Sequence, residues 1–476
     1  MSSDPNPINP PASITPIKPE KSAMVPVNPI KPRERDAILQ SLRAGVVPRI
    51  GIRHLQVGRL DEVAAILTDL NRVKEGSASV RFIIGRYGAG KSFFLNLARV
   101  AALEQKFVVA QADVTTEHRL HGSSGQARAL YAELMQNLAT KAKPDGGALT
   151  SVIERWVSDL DQGVRGKGGT DGDVIAAVNA QLKPLEDLVS GHDFANVIGK
   201  YVEGYQQGKE LLTSSALRWL RAEYRTKTEA KNDLGVRSII EDGQIYDYLK
   251  LFAAFVRMAG YSGLLVNIDE MGVLSHRLQS SQARNANYES LLRILNDALQ
   301  GGASGIGFLF GGTDTFLEDR RRGLFSYEAL ATRLADNTFS KGGMKDLSGP
   351  VIRLMNLTPE ELYVMLRNIR EVFALGDPSK YLIDDEGMKA FMLHCQTTLG
   401  ADYFRTPRDS VKGFVGLLSV LEQNPGSDWK AMLTSTKIEA TTDPEAVVVA
   451  EEAEANPQPP LAAKPANDED LASFKL

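Results

Sequence analysis

Residues 81–98, RFIIGRYGAGKSFFLNLA, run from an apolar stretch into Gly85, Gly88 and Gly90, then restart as an apolar helix behind Lys91 and Ser92. Few backbones satisfy that order. Glycines let the chain curl so that successive N–H groups point inward at an anion. A helix starting there turns its positive N-terminal end to the same concavity. Lys91 is placed to reach the β- and γ-phosphates of a nucleotide as a mobile point charge. Ser92 offers a hydroxyl to Mg²⁺, a hard cation that prefers oxygen. Residues 85–92 fit G-x-x-x-x-G-K-[ST], the phosphate-binding P-loop. The expected nucleotide contacts are therefore Gly85, Tyr87, Gly88, Ala89, Gly90, Lys91 and Ser92, with Phe93 adjoining. The alternative is a glycine-rich turn with a solvated lysine. The strand before the loop and the helix after it argue against that.

Such a loop calls for a partner: an apolar strand ending in an acid that holds the metal. LLVNIDE, residues 264–270, supplies it. Asp269 is expected to bind Mg²⁺ through water, and Glu270 to polarise the attacking water as general base. A strand-end Asp-Glu is often only a polar exit; its pairing with the P-loop favours the catalytic assignment. Asn267 is the one polar residue inside this run. In FLFGGTDTF, residues 308–316, Thr313 or Asp314 is placed to contact the γ-phosphate or the water, or else satisfies its own turn. Glu117 and His118, beyond the run KFVVAQADV, either meet the water or cap their loop.

The strand candidates are SVRFIIG, KFVVAQADV, GLLVNIDEMG, GIGFLFGGTDTF and PVIRLMNL. The first two flank a loop and a helix, a βαβ unit that argues for a parallel sheet. Residues 116–255 carry apolar spacing near the helical period and read as a helical insertion. Thr358, Pro359 and Glu361 form a capping box that opens a further helical region. The expected division is a proline-rich arm over 1–32, an ATPase core over 33–356, a helical lid over 357–436 and an acidic tail over 437–476. Both ends read as disordered.

With 476 residues and a net charge of −4, the chain has no global basic field to gather nucleic acid, though a local patch remains open. Its one cysteine, Cys395, excludes an internal disulfide framework, reads as a small core residue and fits a reducing compartment. No run of about 18 apolar residues occurs, and the first residues lack a signal peptide's apolar core. The expected location is the cytoplasm, with no membrane contact.

The order of P-loop, IDE, GGTD and then YFRTPRDSVKGFV resembles the AAA+ class, closest to its origin-recognition and signal-transduction-like branches. QVGRLDEVAAI resembles the segment these proteins lay against adenine, which implies that Val57, Gly58 and Arg59 flank the base. Thr313 resembles the sensor-1 position, and Arg408 the sensor-2 arginine that contacts the γ-phosphate from the lid. More narrowly, GVVPRIGIRHLQVGR, RFIIGRYGAGKSFFL, ADVTTEHRLHG and GYSGLLVNIDEMGVL together resemble the P-loop ATP-binding proteins of BREX-type phage-defence islands, the BrxD-like group. That resemblance spans about residues 40–430. It implies an ATP-driven role near DNA, a possible partner such as a helicase or another defence-island protein, and a homo-oligomer. In such classes a trans-acting arginine follows sensor 1. Arg320, Arg321, Arg322 and Arg333 compete for that part, Arg333 first; the Arg320–Arg322 triple could instead touch DNA phosphates or be a solvated loop.

The expected fold class is thus α/β: a P-loop AAA+-like three-layer sandwich with a five-stranded parallel sheet, a large helical insertion and a C-terminal helical lid. The expected activity is Mg²⁺-dependent ATP hydrolysis coupled to a DNA-related or defence-complex activity. The main alternative is a nucleotide-gated switch with slow turnover acting through a protein partner. A small-molecule kinase on the same loop is disfavoured, because IDE puts a water-activating acid where an acceptor pocket would be needed.

Overall fold

Five of the apolar runs become strands: β1 Ala78–Ile84, β2 Val108–Asp113, β3 Leu264–Asp269, β4 Ile306–Gly312 and β5 Val351–Arg353. They form one parallel sheet in the order β2-β3-β4-β1-β5. The computed structural model describes residues 29–340, 345–399 and 407–436. The acidic tail and nearly all of the proline-rich arm lie outside the described residues.

The sheet is covered on both faces, so its strands read as near-continuous apolar runs rather than alternating ones. Alternation survives in which core each residue enters. Phe82, Ile84, Val266, Phe308 and Phe310 face the first core. Ile83, Val109, Leu265, Leu309 and Ile352 face the second. Helices Leu60–Lys74 and Lys91–Glu104 close the second face through Ile66, Leu70, Phe94 and Leu95. This is the expected three-layer α/β arrangement, with β5 shorter than the predicted run over 350–357. Its neighbour β1 ends at Ile84, so after the Leu354 N–H donates to the Ile84 carbonyl (2.7 Å) the edge has nothing left to pair with.

The helical stretch after β2 covers the first face. Helices Gln126–Gln136 and Ile245–Met258 lie at its two ends, and five helices between them run from Leu149 to Leu234. Trp156 packs edge-on to Phe255 with centroids 5.2 Å apart, and Trp219 to Tyr248 at 5.6 Å. These side chains belong to the same core as Phe82 and Phe308, so the insertion is part of the sandwich rather than an appendage. Each such burial contributes about 1.5–3 kcal/mol.

A separate core joins the C-terminal helices Pro359–Phe373, Asp385–Leu399 and Pro407–Gln423. The predicted capping box opens the first of them: Glu361 N–H donates to Thr358 Oγ1 (3.2 Å), and Thr358 N–H to Glu361 Oε2 (2.9 Å). Cys395 is fully buried here, and burial pushes its thiol up to about 12. One partner was not expected. Ile38 and Leu39 of helix Pro32–Arg43, with Leu55, belong to this core and not to the sheet's. Arg35 fixes the docking by donating to the Phe373 carbonyl (2.8 Å) and pairing with Glu422 (2.7 Å).

Inside the second layer, Arg81 of β1 meets Asp69 in a buried bidentate pair, Nε–Oδ2 2.6 Å and Nη2–Oδ1 3.0 Å. Arg81 also donates to the Leu347 carbonyl (2.9 Å), tying the approach to β5 onto β1. Breaking such a pair from one side strands a buried charge. Asp69→Ala should therefore lower unfolding free energy by about 3–5 kcal/mol, read from the urea midpoint at unchanged m-value. Asp69→Leu combined with Arg81→Leu should cost less than either single change.

Candidate functional site

At the C-terminal rim of the sheet β1 opens into the P-loop. Gly88 and Gly90 sit at φ +78° and +84°, a left-handed backbone that favours glycine. Gly85 is needed for another reason: a Cβ there would stand 2.9 Å from the Leu354 carbonyl oxygen. Helix Lys91–Glu104 starts directly behind the loop. The Lys91 ammonium reaches back over it and donates to the carbonyls of Gly85 (3.0 Å) and Arg86 (3.1 Å). Ser92 Oγ donates to Asp269 Oδ2 at 2.6 Å, across 177 positions of sequence.

That contact crosses β4, which lies between β1 and β3. It is possible because β4 carries Gly311 there: a Cβ at Gly311 would collide with Asp269 Oδ1 and with Leu95. Asp269 is almost wholly buried, and its Oδ1 accepts the Glu270 N–H at 2.8 Å. Glu270 is exposed and held at φ +56°, a conformation an L-residue adopts at a cost of about 1–3 kcal/mol. Such outliers concentrate at working sites. Asn267, the polar residue inside β3, is fully buried and donates to the Leu95 carbonyl (3.2 Å). The acid-bearing strand is thereby tied twice to the helix behind the P-loop.

Thr313 follows β4 and caps the short helix Asp314–Glu318, its Oγ1 accepting from the Phe316 N–H at 3.1 Å. Asp314 beside it has its carboxyl raised above the usual range by desolvation, against the Arg353 guanidinium (3.4 Å), which also holds Glu318 and Asp336. Asp113 stands opposite Asp269 in the strand register. Its carboxyl is reached by solvent yet raised, first by desolvation at the cleft mouth and then by the Asp269 charge. His118 pairs with Glu133 (2.6 Å), while the Glu117 and His118 N–H groups both donate to Thr115 Oγ1. This is the loop-capping alternative.

These strand ends face a cleft of about 1020 Å³ between the sheet and the C-terminal helices. It brings together Val57, Gly58 and Arg59, the loop residues Tyr87 to Phe93, and Asp269, Glu270, Thr313 and Arg408. Arg408 donates to the Tyr87 hydroxyl at 2.8 Å, joining helix Pro407–Gln423 to the P-loop. Arg59, itself at φ +57°, does not lie free beside the cleft: its guanidinium donates to the carbonyls of Ala89, Gly90 (3.4 Å) and Met355 (3.4 Å). Burial lowers its pKa, against the carboxylates of Glu62 and Glu361. Gly58 has the Glu361 carboxylate where a Cβ would be.

Gly85 and Arg333 are not among the cleft-lining residues. Arg333 is exposed on helix Glu328–Leu334, bonded to Asn296 Oδ1 and the Ala329 carbonyl, both at 2.8 Å. Arg320 and Arg321 are exposed, while Arg322 reaches the carbonyls of His276 and Leu278, each at 3.4 Å. The cleft also holds residues that no motif singled out. Val47, Leu55, Met365 and Ile369 form an apolar wall fit for a flat base, and Arg49 and Arg277 bring charge to the rim.

No curated protein matches the chain. The family described as BREX system ATP-binding protein BrxC/D matches residues 30–437, which takes in the sheet, the insertion, the cleft and the C-terminal helices. The chain, with its P-loop and strand-end acid meeting under one nucleotide-sized cleft, belongs to that ATP-binding family.

Proposed function

We propose that this chain is a Mg²⁺-dependent ATPase of the cytoplasm whose nucleotide state drives a DNA-related step or the assembly of a phage-defence complex. The observation that carries the reading is the 2.6 Å contact between Ser92 and Asp269. It sets a hydroxyl and a carboxylate, two hard oxygen donors, side by side under the P-loop. Among the described residues no cluster of three or more acidic, histidine or cysteine side chains forms a metal cage. Two protein oxygens completed by phosphate and water suit Mg²⁺, which keeps most of its waters. Ser92 and Asp269 would hold the ion; when bound it supplies charge neutralisation at the phosphate oxygens.

The remaining roles follow from position. The P-loop amides and the start of helix Lys91–Glu104 bind the phosphates. Lys91 exchanges its two carbonyl partners for phosphate oxygens. Glu270, exposed beside the buried Asp269, takes the proton of the attacking water. Thr313 and Arg408 report on the γ-phosphate, Arg408 from the C-terminal helices acting as a lid over the core. The apolar wall near Val57 takes the base. Arg333, outside its own cleft, acts on a neighbouring copy, which makes the working form an oligomer. A helicase or another defence-island protein is a suitable recipient of the motion.

Lys91→Ala should weaken ATP binding by at least about 10-fold, the worth of one charge-assisted hydrogen bond, with the fold intact by circular dichroism. Unchanged turnover in that variant would defeat the site assignment. Glu270→Gln should keep ATP affinity and lose about 10²–10⁴ in kcat; if it still supports defence in cells, the nucleotide-gated switch is the better description. For the arginine, Arg333→Ala should cost about 10³ or more in kcat. Mixing it with Glu270→Gln protein should restore part of the turnover, since only a mixed pair combines an intact acid with an intact arginine. No recovery in mixtures that light scattering shows to be co-assembled rules Arg333 out of a trans role.

A further inference from the structure

Beside the cleft, the segments that carry Arg277, Arg284, Arg320 and Arg321 meet. Arg284 donates to the carbonyls of Leu278 (2.8 Å) and Gln279 (3.0 Å), and Arg322 reaches the same Leu278 carbonyl. The segments carrying Arg277, Arg284 and Arg320–Arg322 therefore form one platform. Tyr288 locks it from below by donating its hydroxyl to the Arg322 carbonyl. Arg277, Arg320 and Arg321 are exposed and Arg284 half-buried. Among the described residues none of these four has a carboxylate partner. Few acids stand against them: Asp319 lies within the cluster, its carboxylate accepting the Arg321 N–H (2.7 Å), and Glu318 is drawn away to Arg353 (2.7 Å). In a chain of net charge −4, such a cluster repels itself and is relieved by an anion brought from outside.

We propose that this platform binds the phosphate backbone of duplex DNA, and that DNA bound there is coupled to the nucleotide site through residues 270–278. Guanidinium groups match phosphate geometry with paired donors. Duplex is favoured over single strand because the aromatic members here, Tyr288 and Phe316, are fully buried and offer no stacking surface. Nothing in the cluster reads base edges, so the binding is sequence-independent and salt-dependent. The route to the nucleotide site is short. Val273 N–H bonds the Glu270 carbonyl (3.1 Å), helix Val273–His276 follows, and the carbonyls of His276 and Leu278 are those that Arg322 caps. The coupling rests on the ATPase reading above; the DNA contact does not.

The test is fluorescence anisotropy of a short random-sequence duplex with full-length protein across a salt series. Arg320→Glu with Arg321→Glu should weaken binding by at least about 10-fold and flatten log K against log salt by about 0.9 for each phosphate no longer neutralised. Arg320→Gln with Arg321→Gln should give a smaller change in the same direction, and both should keep the wild-type affinity for a fluorescent ATP analogue. Unaltered DNA affinity and slope in the reversal variant overturn the proposal; so does abolished turnover with intact DNA binding, which assigns these arginines to nucleotide chemistry instead. Lys91→Ala should retain the duplex contact and lose only its dependence on ATP. A wild-type chain that binds duplex but no nucleotide would thus sink the ATPase reading alone.

Discussion

One missing methyl group holds the site together. Gly311 lets the Asp269 carboxylate lean across β4 to Ser92, and any larger residue there would fill the same space. The strand order makes this necessary. Because β4 separates the strand that opens the P-loop from the strand that ends in the acid, the two halves can meet only over the top of β4. The Gly311-Gly312 pair, which reads in sequence as a weak end to a strand, is better understood as clearance. It also puts the next residue, Thr313, between the two halves.

Around that contact the chain accepts strain and recovers it by packing. Glu270 and Arg59 both sit in left-handed backbone at φ +56° and +57°. Each is held by what surrounds it: Glu270 by its N–H on Asp269, Arg59 by three carbonyls. The two cores flanking the sheet supply the rigidity, with Phe82 and Phe310 tilted together at 5.2 Å on one face and Phe94 and Leu95 on the other. Asn267 gives up apolar packing to bond the Leu95 carbonyl, an exchange that fixes β3 and the P-loop helix in register.

The features legible in the sequence were those whose physics is local. The P-loop, the acid after an apolar strand and the Thr358 capping box each require particular residues at fixed short spacing. The five strands followed from apolar runs that a doubly covered sheet demands. What could not be read is long-range. Nothing near Ile38 says that it packs with Leu366 rather than with the sheet, since both faces want the same apolar side chain. Arg59 gave a motif but not a direction; its turn onto Ala89, Gly90 and Met355 depends on the P-loop and β5 arriving there. Arg277 and Arg49 reach the rim through loops without a pattern of their own, and Asn267 looked like a tolerated exception because its partner lies 172 positions away.

The unexpected docking of helix Pro32–Arg43 changes what the C-terminal helices can do. They are joined to the sheet by two covalent connections, not one: residues 354–358 after β5, and residues 44–59 after that helix. The second connection carries Gly45, Gly51 and Gly58 in left-handed backbone at φ +69°, +71° and +62°. These two connections are the covalent routes between the helical unit and the sheet. They converge on one side chain, since Arg59 ends the second connection while bonding the Met355 carbonyl of the first and the P-loop between them. The glycine-rich loop is therefore bonded to both connections at Arg59, and Arg408 on Tyr87 ties the same loop directly to the C-terminal helices.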